Sequence, residues 1–176
     1  MTKYTLAALL ATTLSSTAAM AVSDNTISFQ GEVTDETCSV AVNGNGTKPV
    51  ILLPTVSSSD LSASGDTAGM VTFDIGLTGC TGSSTETKIS TVFVGNQVTS
   101  NGNLGNTGTA GNVEVQILDT ASKAIDLTNG FTGKGDLVLA ADATEASATY
   151  SAQYYANAAA KAGTVEATLQ YAVSYQ

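Results

Sequence analysis

Residues 164–176 read TVEATLQYAVSYQ. Val165, Ala167, Leu169, Tyr171, Val173 and Tyr175 take every second position and are apolar or aromatic; Thr164, Glu166, Thr168, Gln170, Ala172, Ser174 and Gln176 stand between and around them. Successive side chains of a strand point to opposite faces, so this pattern predicts one long strand with a single face built to be covered. The expectation is that no strand follows Gln176 to lie beside it. A second stripe stands near the other end, where Ile27, Phe29, Gly31 and Val33 alternate with Ser28, Gln30 and Glu32. Two one-sided strands, the last with no successor, raise the question of where the covering strand comes from.

The first 21 residues are expected to be a secretory signal peptide. Lys3 gives a positive start, Tyr4 to Leu14 is mostly apolar, and Ala19-Met20-Ala21 is a small-x-small cleavage pattern. The apolar core is shorter than the ~20 residues a membrane span needs. Taking 21 from 176 residues leaves 155, one domain by the usual length prior.

Without Lys3, five lysines face 15 acids, and there is no arginine, histidine or tryptophan. Such a chain is a poor partner for nucleic acid or an anionic membrane surface, both of which require positive charge. Acidity keeps an exported protein soluble and self-repelling. Cys38 and Cys80 are the two cysteines, and an even count in an exported chain reads as one structural disulfide. Closing that loop would stabilise by ~4 kcal/mol on the chain-entropy model. A metal site is the weaker alternative, since two thiols without histidine do not fill a tetrahedral shell. With no CxxC motif, a redox role is disfavoured.

Short alternating runs separated by Gly, Asn, Ser and Thr predict an all-β domain of two packed antiparallel sheets. The expected strands are Ile27 to Val42, Val50 to Leu53 (stopped by Pro54), Met70 to Leu77, Ile89 to Val94, Val113 to Leu118, Leu137 to Leu139, Ala148 to Tyr155 and Val165 to Tyr175. Gly95 to Asn112 is polar and rich in Gly and Asn, and reads as a surface loop. The Ala-rich stretch Ala156 to Ala162 has the propensity for one helical turn, with a loop an equal alternative.

No catalytic constellation is present in the sequence. Without histidine, neither a Ser-His-Asp nor a Cys-His arrangement can exist. No phosphate-cradling loop or dinucleotide fingerprint appears. Adjacent Asp35 and Glu36 would point to opposite faces of a strand, wrong for a shared acid–base pair. Asn45-Gly46-Thr47 matches the glycosylation tripeptide, but Asn-Gly is more often a turn. No catalytic residue, metal or cofactor is expected.

Several motifs together resemble the major subunits of chaperone–usher fimbriae of the type 1 kind. Ile27-Ser28-Phe29-Gln30-Gly31-Glu32-Val33 is similar to that family's donor-strand extension. Cys38-Ser39-Val40 and Phe73-Asp74-Ile75-Gly76-Leu77-Thr78-Gly79-Cys80 resemble its two cysteine contexts. Asn112 to Asp119 is similar to a central strand, and Tyr150 to Ala156 with the closing strand and penultimate Tyr175 resembles the C-terminal signature. Pro54 and the Ala156 to Gly163 stretch depart from the pattern. The resemblance covers essentially all of the chain after the leader.

It implies an incomplete immunoglobulin-like β-sandwich, residues 34–176, lacking its C-terminal strand. Residues 22–33 are then an N-terminal donor-strand extension. Ile27, Phe29 and Val33 of one subunit would enter a groove lined by Leu169, Tyr171, Val173 and Tyr175 of another, with Gly31 where the groove is too shallow for a side chain. The implied partners are other copies of the chain in a head-to-tail polymer, a periplasmic chaperone, an outer-membrane usher and other fimbrial subunits. The implied place is a fimbria on the cell surface, reached through the periplasm, and the implied role is a shaft subunit that supports adhesion. Elementary physics points the same way, because a long alternating edge strand is an aggregation hazard unless covered. Burying three such side chains contributes roughly 5–8 kcal/mol before ordering costs. A contact between two different surfaces does not close and so builds a filament. The alternatives are a minor tip or adaptor subunit, or a self-sufficient secreted β-sandwich that binds sugar or protein.

Overall fold

The computed structural model describes residues 38–81 and 84–175. Ile27, Phe29, Gly31 and Val33, and the boundaries drawn at residues 21 and 33, lie outside the described residues. Eight strands are present: β1 Ser39–Val42, β2 Thr67–Thr78, β3 Thr87–Gly95, β4 Leu104–Gly105, β5 Gly111–Leu118, β6 Phe131–Leu139, β7 Ala146–Lys161 and β8 Leu169–Tyr175. The helical content among the described residues is one short 3-10 turn, Ser58–Leu61, whose Ser57 cap and Asp60 close a capping box. The strands form a five-stranded sheet in the order β1-β2-β7-β5-β4 and a three-stranded sheet in the order β6-β3-β8, all neighbours antiparallel.

The inward faces are the apolar positions of the alternation. Phe73, Ile75 and Leu77 of β2 meet Ile89 and Phe93 of β3 across the sandwich, with Tyr150 of β7 between them. Tyr150 and Phe93 are fully buried with ring centroids 4.8 Å apart, edge to face, the arrangement that ring quadrupoles favour. Cys38 and Cys80 are joined by a disulfide that ties the start of β1 to the chain just past β2.

Three expectations change. The Ala-rich stretch is no helix: β7 runs through Ala156 to Lys161, with Ala156 fully buried under Leu61 and Val113. A tertiary packing site outweighs the few tenths of a kcal/mol per residue of helix propensity. β6 starts at Phe131, earlier than Leu137, because Gly133 and Gly135 break the alternation that would have marked it. Val50 to Leu53 is extended and alternates in burial, yet it belongs to no ladder among the described residues.

β6 is strongly bulged. Ile89 pairs with Leu137 and Thr91 with Gly133, so Lys134, Gly135 and Asp136 face the single residue Ser90. Two side chains stitch the gap: the Ser90 hydroxyl accepts from Gly135 N–H at 3.1 Å, and Asp136 Oδ1 accepts from Thr91 N–H at 2.9 Å. Gly135 sits at φ +65°, in the left-handed region where a Cβ is costly.

Candidate functional site

β1 and β8 are the edges of the two sheets that lie on the same side of the sandwich, and between them opens an apolar groove of about 620 Å³. One wall is the closing segment, with Val165, Ala167, Leu169 and Tyr171. The other is the extended segment 49–53, which turns Ile51 and Leu53 inward. Phe73, Ile75, Phe93, Leu104, Val115 and Ile117 form the floor. The stripe of β8 is half-buried along its length, whereas Ile89 and Phe93, which pair with Tyr175 and Tyr171 in register, are fully buried. Side chains at a finished sheet edge in a sandwich would be covered like those of β3; these are covered on one side only.

Of the four residues expected to line the acceptor groove, the structure brings Leu169 and Tyr171 to the cavity wall. Val173 and Tyr175 continue the same stripe and pack on the core, but lie beyond the cavity toward the disulfide. There Tyr175 Oη accepts a hydrogen bond from the Cys38 N–H at 3.0 Å and ties the two flanking edges together.

Among the described residues, neither wall has a strand paired to it on the groove side. β8 pairs with β3 on one side and with no other described strand. Segment 49–53 makes no backbone hydrogen bond to any described residue. Buried backbone N–H and C=O groups are almost always paired, so a groove with two such rims is chemically suited to an extended chain that would form a ladder on each side. The other edge of the three-stranded sheet offers no such invitation. β6 is bulged, exposes Lys134 and turns Asp136 inward, the devices that blunt a free edge.

Ile51, Leu53 and the Gly95 to Asn112 loop are the parts of the site that sequence reasoning missed. The run Val50 to Leu53 was visible, but nothing local shows that it is a wall. The loop is more than a surface connection: Leu104 and Asn103 are buried, and Leu104 lines the groove floor. Its second half holds the closing segment in place. Thr107 N–H donates to Glu166 C=O at 2.8 Å, Ala110 N–H to Thr164 C=O at 2.9 Å, and Glu166 N–H to Asn106 Oδ1 at 2.8 Å. Gly108 is required there, because a Cβ would collide with the Thr164 backbone.

Its first half is pinned to β5 by Glu114. Both carboxylate oxygens are satisfied: Asn157 Nδ2 donates to one at 2.9 Å, Asn103 Nδ2 to the other at 2.9 Å, and Asn101 Nδ2 reaches both. Burial by itself would raise this carboxyl. The hydrogen bonds from Asn157, Asn103, Thr99 and Asn101 outweigh it and hold the group below the usual glutamate value. The network continues through Asn103 to Gln116 and from Gln116 to Gln153.

Two packed antiparallel sheets, a disulfide at one end and an apolar groove between two sheet edges define an immunoglobulin-like sandwich. Residues 27–176 match the family described as Fimbrial protein, and the chain belongs to that family. It is 36% identical over 163 residues to the F17 fimbrial protein of Escherichia coli, covering 87% of this chain and 88% of that one. It is 34% identical over 161 residues to the major fimbrial subunit SMF-1 of Stenotrophomonas maltophilia, covering 86% and 92%. In fold it is similar to the crystal structure of the P pilus rod subunit PapA, with a TM-score of 0.61 at 21% identity, covering 79% of this chain and 99% of that one. The protein is a structural subunit of a surface fimbria.

Proposed function

We propose that this subunit forms the fimbrial shaft by donor-strand exchange. Residues 22–33 of one copy, presenting Ile27, Phe29 and Val33 on one face, occupy the groove between segment 49–53 and the closing strand of the next. Gly31 falls where no side chain fits. Residues 34–176 are the acceptor domain, and residues 1–21 are the leader removed on export. Before assembly, a periplasmic chaperone covers the groove with a strand of its own, and exchange for the donor strand happens at an outer-membrane usher. No catalysis is involved.

The carrying observation is the groove itself, apolar along its floor and with no described strand paired to segment 49–53 or to the groove side of β8. Strand addition uses main-chain hydrogen bonds for affinity and alternate side-chain pockets for specificity, and the groove supplies both. The test is a peptide of residues 22–33 added to a subunit that lacks them. Binding with a raised melting temperature is expected, together with loss of binding for the Gly31→Leu peptide. Equal binding by the Gly31→Leu peptide would refute the role given to Gly31. Failure of the wild-type peptide to bind the folded subunit would refute donor-strand exchange. Filaments by electron microscopy only when the protein is present would mark it as the shaft component.

A further inference from the structure

Away from the groove, the β3–β6 bulge encloses an unusual polar pocket. Thr91 Oγ1, Asp136 Oδ2 and Tyr150 Oη are all buried and none has a hydrogen-bond partner. Thr91 and Tyr150 are fully buried. The three converge on Gly133, the register partner of Thr91: a Cβ at Gly133 would collide with the Asp136 carboxyl and lie 2.9 Å from Tyr150 Oη. Unpartnered buried polar atoms are rare in native proteins because each costs its full desolvation. An ionised carboxylate oxygen is the most costly of the three.

We propose that Asp136 is a proton-responsive group of the folded subunit, taking up a proton in mildly acidic surroundings and so tightening the edge of the sandwich opposite the groove. Protonation removes the buried charge from Oδ2, the carboxyl oxygen that has no hydrogen-bond partner. Oδ1 keeps its bond from Thr91 N–H. Burial already pushes this carboxyl above the usual aspartate range, against the hydrogen bond from Thr91 N–H. Among the described residues, no opposing charge holds it ionised. From β7, the titratable group facing it is Tyr150, and the only charged residue of that strand, Lys161, stands at its far end. From β3, Thr91 and Ser90 face the bulge, while Lys88 is exposed and lays its stem along Gly135. On β6 itself, Lys134 is exposed.

The sign follows from linkage. A carboxyl raised in the folded state favours folding fully below the unfolded aspartate value, and that contribution is lost as pH rises through the raised value. The experiment compares the mature, disulfide-bonded chain with Asp136→Asn by denaturant unfolding from about pH 3, below the ordinary aspartate value, up to about pH 8. The Asp136 carboxyl carbon is followed by NMR in the wild type. Within the window, the folding equilibrium constant of wild type relative to the variant should rise on acidification, by at most about tenfold per pH unit. The carboxyl resonance should titrate above the ordinary aspartate range. A wild-type-to-variant ratio that does not change with pH would overturn the proposal, as would a carboxyl titrating at or below that range. The NMR titration needs no variant, so the proposal stays testable if Asp136→Asn folds poorly.

Discussion

The hydroxyl of Tyr175, at the end of the closing strand, accepts a hydrogen bond of 3.0 Å from the backbone N–H of Cys38, 137 residues earlier. Cys38 is also bonded to Cys80, so one residue joins the end of β8, the start of β1 and the turn after β2. The bond spans the two edges that flank the groove, at the end where the cavity stops. Tyr175→Phe keeps the ring and removes the acceptor. A loss of about 1 kcal/mol is expected, which for a domain of this size lowers the melting temperature by about 3 °C. Thermal unfolding of the donor-complemented subunit measures it; an unchanged midpoint would mean that the bond contributes nothing to closure.

Tyr171→Asp places a charge on the groove wall, where its neighbours are Leu169, Phe93 and the apolar floor. The empty subunit loses little, because the residue is only half-buried. The occupied groove would bury that charge without a partner, so donor-peptide affinity should fall at least about a hundredfold, or ~3 kcal/mol. Titration calorimetry with the residue 22–33 peptide is the check. The same substitution at Thr132, on the exposed face of β6, should leave affinity unchanged.

Cys80→Ser opens a loop of sequence separation 42. Removing a native disulfide from a small exported domain costs ~2–5 kcal/mol. Because the bridge also fixes the N–H that Tyr175 accepts, the expected loss is larger than for Tyr175→Phe alone, and the double variant should show less than the sum of the two single losses. Denaturant midpoints for the four members of that cycle give the coupling directly.

Glu114→Gln tests the loop anchor. The carboxylate has four amide or hydroxyl donors around it, and glutamine can reproduce only part of that set. A loss of ~1–3 kcal/mol at neutral pH is expected. The folded carboxyl is held below its usual value, so its contribution is present above the unfolded glutamate value and is lost as pH falls through the folded one. The gap between wild type and Glu114→Gln should therefore close on acidification, and proteolysis of residues 96–104 should be faster in the variant at pH 7. A gap that widens in acid would contradict the arrangement seen here.

Much of this fold was legible locally. β2, β3 and β5 fall on their alternating runs, because an inward face in a sandwich writes itself into the sequence at every second residue. The same rule marked Val165 to Tyr175, although hydrogen-bonded pairing with β3 starts only at Leu169. Upstream of that point the chain leaves β3 and is held by Asn106, Thr107 and Ala110, so alternation persists where the ladder does not. What was not legible has a common cause. Gly133 and Gly135 erased the period of β6, Ala156 hid a strand inside a helix-forming composition, and the polar loop concealed Leu104; the burial of Leu104, and of Glu114 in β5, is created by residues far away in sequence.

Sequence alone showed the single pair of cysteines and the one-sided character of the last strand, since each depends on residue identity or on period two. Tertiary structure decided which edges stand uncovered, that segment 49–53 is the opposite wall, and that Glu114 and the Asn side chains shape the groove from behind. Those outcomes depend on sheet order and on contacts between residues 40 to 140 positions apart, such as Cys38 with Tyr175 and Asn157 with Glu114. No local pattern encodes such pairs, because the free energy that selects them exists only once the sheets have packed.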